Sequence, residues 1–113
     1  GNDCIDFSGG KYRITSFDLS NCGDKGISIG EKSIIDVENI KINKATIGIA
    51  SKDSSQAFID MIRINDTSDC LAAYRKKQEF DGGFLNVKNS DCKDFKRVFF
   101  VDQFSKINIE NEM

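Results

Sequence analysis

The chain has 113 residues, 39% of them hydrophobic, with 16 basic and 18 acidic side chains and a formal charge of −2. That length suits one domain with one core, and the charge balance supplies neither a basic excess for nucleic acid nor a polybasic tract for a membrane surface. No apolar run approaches the roughly 18 residues that span a bilayer, and GNDCIDFSGG lacks the charged and apolar regions of a signal peptide. Since the first residue is not Met, the expectation is a domain over residues 1–113 that is a piece of a larger protein.

From the N-terminus, Cys4-Ile5-Asp6-Phe7 is followed by Gly26-Ile27-Ser28-Ile29, Gly48-Ile49-Ala50-Ser51 and Cys70-Leu71-Ala72-Ala73, each 22 residues after the last. Val98-Phe99-Phe100-Val101 fits after 28, which predicts an insertion of six residues in the fourth unit. A second apolar pair follows in each unit: Phe17 and Leu19, Ile40 and Ile42, Ile62 and Ile64, Leu85 and Val87. These pairs run into Asn21, Asn43, Asn65 and Asn89. Apolar and polar residues alternate in both series, which is the period of a strand with one buried face. The β-branched stretches SIIDVENIKI and SQAFIDMIRI oppose a helix.

A 22-residue unit of short strands cannot bury its own apolar face, so it must stack on copies of itself. The prediction is all-β: a right-handed parallel β-helix, a solenoid of about five coils. Ile5, Ile27, Ile49, Leu71 and Phe99 form one inward column, and Phe7, Ile29, Ser51, Ala73 and Val101 a thinner one.

The 22-residue spacing, the Gly-Ile pairs and the recurrent Asn resemble the right-handed parallel β-helix repeats of the pectin lyase-like superfamily, most clearly over residues 3–70. GDKGISIGEKS, IGIASKDSS and AYRKKQEF are also similar to bacterial β-helix repeat proteins of unassigned activity. The resemblance implies coils with three short parallel strands, stacked Asn at the turns, and carbohydrate chemistry on one outer face in many members. It leans toward an extracellular setting.

After the inward pair, the units continue with Gly30-Glu31-Lys32, Lys52-Asp53-Ser54 and Tyr74-Arg75-Lys76-Lys77. Stacking sets Glu31 near Asp53, Lys52 near Tyr74, and Asp53 near Arg75. Glu31, Lys52, Asp53, Tyr74, Arg75 and Lys76 are therefore the candidate polysaccharide or oligosaccharide contacts, with the cations facing anionic groups and Tyr74 as a stacking platform. The bland alternative is a solvated face in which alternating charges pair weakly between rungs. Catalysis needs more. Lyases of this fold need carboxylates converging on calcium, and hydrolases need paired Asp with a nearby His. This chain has no His, and its nearest approaches are Asp3, Asp6 and Asp24 with Lys25, or Glu31 paired with Asp53 as acid and base. A polysaccharide lyase or glycoside hydrolase fragment is accordingly the rival to a scaffold. The AYRKKQEFDGGF excursion is either a binding loop or a spacer over the coil edge, and it lacks the spacing of a phosphate loop.

In the last coil, alternation turns Phe100 outward. Phe100 and Phe104 are the candidate interface with a neighbouring domain or a second copy. Cys4 and Cys70 share a phase three coils apart, and Cys22 and Cys92 sit in turns with no partner of the same phase next door, so four free thiols are expected, which lean to a reducing compartment. With no C-x-x-C and no His, no metal and no cofactor are expected.

Overall fold

The computed structural model describes residues 2–113. Its strands are β1 (Ile5–Ser8), β2 (Lys11–Ser20), β3 (Lys25–Gly30), β4 (Ile34–Lys52), β5 (Gln56–Tyr74), β6 (Phe84–Val101) and β7 (Lys106–Glu112). Every pairing is parallel, in the order β1-β3-β4-β5-β6-β7 with β2 on β4, and no helix occurs among the described residues. The chain is a parallel β-solenoid of about five turns. β4 and β5, at 19 residues each, run across corners instead of ending at them.

The registers divide each turn into three faces. Face A carries residues 5–8, 25–30, 47–52, 69–74 and 97–101; face B carries 11–14, 34–37, 56–59, 84–87 and 106–109; face C carries 16–20, 39–43, 61–65 and 89–93. On face A the inward columns are those the period predicts, Ile5–Ile27–Ile49–Leu71–Phe99 and Phe7–Ile29–Ser51–Ala73–Val101. Ile40 and Ile62 meet on face C, as do Ile42 and Ile64. Leu85 and Val87 differ from expectation. They stack on Ala57 and Ile59 of face B, and the face C positions in that turn fall to Ser90 and Cys92. The physical reason is the insertion: Gln56 pairs with Phe84, 28 residues on, where Ile34 pairs with Gln56 after 22.

The core is a stack of β-branched side chains with Ile27, Ile29, Ile35, Val37 and Ile49 fully buried, each contributing about 1.5–3 kcal/mol. The first turn closes its end with aromatic rings, Phe7 packing 4.8 Å from Tyr12 and 6.3 Å from Phe17. Among the described residues nothing comparable covers the last turn, and Phe95, Phe99, Phe100, Val101 and Phe104 are exposed. Phe99 thus belongs to an inward column yet is exposed, with no described strand stacked on its far side.

Two corners recur in left-handed backbone. Between faces C and A, Asn21, Lys44, Asp66 and Asp94 have φ of 54°, 76°, 65° and 54°. Between faces A and B, the pairs Glu31-Lys32 and Asp53-Ser54 hold positive φ where the first turn uses Gly9 and Gly10. The Asn ladder is shorter than the sequence predicts: Asn65 Nδ2 donates to Asn43 Oδ1 at 3.0 Å, Ser20 and Lys93 fill the equivalent positions, and Asn89 lies in another column under Asn111.

The expectation of free thiols is overturned. Cys4 bonds to Cys22 and Cys70 to Cys92, which leaves no free cysteine. The search for same-phase partners fails because both bridges cross the corner between faces C and A. A Cβ on Gly26 would meet the buried Ile42 and one on Gly48 would meet Ile64; Cys70 and Cys92 occupy that same pair of positions one turn later. The sulfur bridge replaces a glycine-isoleucine contact, and the inference of a reducing compartment loses its basis.

Candidate functional site

Face A beside the A–B corner gathers the predicted residues. Ser8 pairs with Gly30 and Lys52 with Tyr74, and the Ile29–Ser51 pairing beside them aligns the two pairs in one column. Next to it runs Asp6, Ser28, Ala50, Ala72 and Phe100. Ser28, Ala50 and Ala72 alternate with core residues yet are fully buried, small side chains closed over by the longer ones beside them. Ser28 Oγ has no hydrogen-bond partner among the described residues.

The Lys52 stem lies over Gly30, where a Cβ would stand 3.3 Å from Lys52 Cε. Lys52 Nζ has no hydrogen bond or ion pair among the described residues. Burial lowers its pKa below the ordinary lysine value, and the like charges of Lys25 and Lys76 lower it further against Asp6 and Asp3. Lys25 is the opposite case. Burial works to lower its pKa, but its 2.9 Å bond to Asp24, the Tyr74 phenolate when ionised in alkali, and the charges of Asp3 and Asp24 raise it overall. Tyr74 is half-buried, and burial pushes its hydroxyl pKa up; its ring lies 6.3 Å from Phe100.

The other predicted residues are engaged within the chain. Asp53 is buried, and its Oδ1 accepts from the backbone N–H groups of Lys76 at 2.7 Å and Lys77 at 2.9 Å. Glu31 accepts from Ser8 Oγ at 3.1 Å and from Lys77 Nζ, and these donors hold its carboxyl below its usual pKa. Arg75 lies 3.6 Å above the Phe104 ring, and its N–H donates to Asp102 Oδ2 at 2.8 Å. Phe100 is likewise flanked, with the Arg97 guanidinium 4.9 Å from its ring centre while Arg97 holds the buried Asp69 at 2.6 and 3.0 Å. Lys76 is exposed.

These contacts make the insertion a fitted part of the solenoid. Asp53 and Ser54 grip both its ends, Ser54 Oγ accepting from Asp81 N–H at 2.8 Å. Gly83 must be glycine, since a Cβ there would run into the Ser51 carbonyl. Sequence reasoning missed this anchoring role of Asp53. The signal is the left-handed Asp-Ser pair in SKDSS one turn before a six-residue excess, where short polar side chains commonly bind nearby backbone.

No carboxylates converge on this face with the spacing of a metal centre; no group of three or more Cys, Asp or Glu that could hold an ion occurs among the described residues. A surface concavity of about 540 Å³, lined by Asn21, Lys44, Thr46, Ser68 and Lys96, lies at the C–A corner and includes none of the predicted residues. No protein-family model matches the chain, and neither a curated protein nor a solved structure is similar to it. The class defined by the coordinates is therefore the parallel β-solenoid, with no narrower family attached.

Proposed function

We propose that the chain is an interaction scaffold of the pectin lyase-like kind, which presents face A and its insertion to a polysaccharide or oligosaccharide. The observation that carries this reading is the column of Lys52 and Tyr74: an unpaired ammonium next to a half-buried aromatic ring on neighbouring rungs of a rigid sheet. A ring face and a cation at fixed spacing suit a sugar with an acidic or hydroxyl substituent. Glu31, Asp53 and Arg75 support this surface from within, and the sugar contacts reduce to Lys52, Tyr74 and Lys76. The rival lyase or hydrolase reading is weaker because both members of its carboxylate pair are already bound to donors of the chain. Two disulfides favour action in an oxidising, extracellular-type setting.

The test is a thermal-shift screen against acidic and neutral oligosaccharides, with and without calcium. Stabilisation by a sugar that disappears in Lys52→Ala and Tyr74→Ala supports the reading, and a flat response across the panel rejects carbohydrate as the ligand. A second contact surface is favoured by the uncovered last turn, whose Phe95, Phe99 and Phe104 make an apolar end suited to a neighbouring domain or second copy. Sedimentation velocity of Phe99→Ser beside the parent chain checks it: loss of self-association supports a second copy, and a parent chain that is monomeric at every concentration rules that occupant out.

A further inference from the structure

We propose that Asn65 is an acceptor for N-linked glycosylation. Asn65-Asp66-Thr67 is the one stretch of the chain in which Ser or Thr stands two residues after Asn, and the residue between them is not Pro, which is the pattern an oligosaccharyltransferase reads. The fold presents the asparagine as such a site requires. Asn65 is exposed at the end of face C, and Asp66 turns the corner at a φ of 65°. Together with Lys41, Asn43, Arg63 and Lys93, Asn65 lines a surface concavity of about 410 Å³, which has room for a first sugar ring. Its side-chain hydrogen bond, from Nδ2 to Asn43 Oδ1 at 3.0 Å, needs a single N–H, and a glycosylated amide nitrogen keeps one.

Thr67 is the second, independent observation. Its Oγ1 is buried and has no hydrogen-bond partner among the described residues, and the positions in register with it, Ala45 and Phe95, are apolar. Val has the same shape as Thr and would avoid the cost of burying an unpaired hydroxyl, so the fold itself has no use for this one. Glycosylation uses it before folding: the transferase takes the extended chain and needs a hydroxyl two residues beyond the asparagine, so the later burial of Thr67 does not oppose the reaction. The two disulfides belong to the oxidising route on which this transfer takes place. In the reaction Asn65 Nδ2 attacks the anomeric carbon of a lipid-diphosphate-linked oligosaccharide. A C–N bond forms, the bond from that carbon to the diphosphate oxygen breaks, the diphosphate departs on its lipid, and the amide proton passes to a base of the transferase. No oxidant or reductant takes part. The glycan is covalent and stands on face C, so it is independent of any sugar held on face A.

The test is translation of the full chain behind a cleavable leader into endoplasmic-reticulum microsomes, read on the protease-protected fraction by gel shift and peptide mass spectrometry. One glycan is expected, removed by peptide-N-glycosidase with conversion of Asn65 to Asp. Asn65→Gln and Thr67→Val should each abolish it, Thr67→Ser should retain it, and Ser28→Ala, which removes the other buried hydroxyl without a partner, should change nothing. A protected chain without a glycan overturns the proposal. The fold gives a second readout: unglycosylated Thr67→Val should melt at or above the unglycosylated parent chain. A lower midpoint means that the hydroxyl serves the fold, which overturns its assignment to the transferase. Mispaired cysteines in the glycosylated chain, where the unglycosylated parent pairs them correctly, also overturn the proposal, since face C then has no room for the glycan.

Discussion

Replacement of Gly26 by Ala tests a close contact of the core column. A Cβ at Gly26 would stand 2.6 Å from the Gly48 carbonyl oxygen and 2.6 Å from Ile42 Cδ1. Neither neighbour can retreat, because the carbonyl belongs to the next rung and Ile42 is only 1% exposed. Overpacking of this kind costs about 1–3 kcal/mol, and the restricted unfolded chain of an Ala variant returns about 0.4–1 kcal/mol. A net loss of about 1.3 kcal/mol follows, within a range of about 0–2.6, and at about 4 °C per kcal/mol the midpoint of thermal unfolding should fall by about 5 °C. Gly30→Ala is the control. Its Cβ would meet the flexible Lys52 stem at 3.3 Å and should leave the midpoint level or slightly raised. Adding Ile42→Val to Gly26→Ala removes Cδ1 and should restore part of the loss. Circular dichroism melts of the four proteins decide the matter. A Gly26→Ala midpoint no lower than that of Gly30→Ala refutes the claim that this column requires glycine where no disulfide stands.

Reduction of both disulfides, which close spans of 18 and 22 residues, should cost about 3 kcal/mol each and lower the melting midpoint by more than 10 °C; before reduction iodoacetamide should label no cysteine, and labelling of the native chain disproves the pairing. Asp53→Ala leaves the Lys76 and Lys77 N–H groups without their acceptor, for a loss of about 1–3 kcal/mol, with faster amide exchange confined to residues 75–83 as the readout. Asp102 gives the pH dependence: burial raises its pKa, but the N–H groups of Arg75 and Phe104, the Ser105 side chain and the Arg75 charge together hold it below the ordinary carboxylate value. A depressed folded-state pKa means stability that is present above the unfolded value and lost as pH falls through the folded one. Asp102→Asn should therefore lose less stability than the parent between about pH 5 and pH 2, and equal losses in urea titrations at those pH values count against the assignment.

The fold was legible because one physical requirement repeats without slippage. Ile5, Ile27, Ile49 and Leu71 recur every 22 residues, and a parallel stack needs the same phase at every rung. Legibility failed where a position answers to something other than its own column. Leu85 and Val87 look like a face C pair by spacing, yet the insertion moves them to face B, and only the pairing of Gln56 with Phe84 reveals the shift. The disulfides escaped for a related reason. Cys4 and Cys22 are 18 residues apart and out of phase, whereas Cys70 and Cys92 are one 22-residue period apart and only the insertion puts them on faces A and C of the same turn; in both cases side chains from two faces meet across a corner.

The same distinction separates the candidate site into two kinds of residue. Spacing placed Lys52 next to Tyr74 correctly, since both are read from one column. It could not tell that Asp53, in the very next position, turns inward in left-handed backbone and gives its carboxylate to the N–H groups of Lys76 and Lys77. A charged residue in a solenoid corner has two uses, contact with a ligand or satisfaction of a neighbouring loop, and composition does not distinguish them. What distinguishes them is the demand for acceptors. An insertion of six residues interrupts the ladder and leaves backbone N–H groups that must be paired when buried. The carboxylate nearest that break is the one consumed, and Lys52, one residue earlier and facing an unbroken sheet, is the one left free.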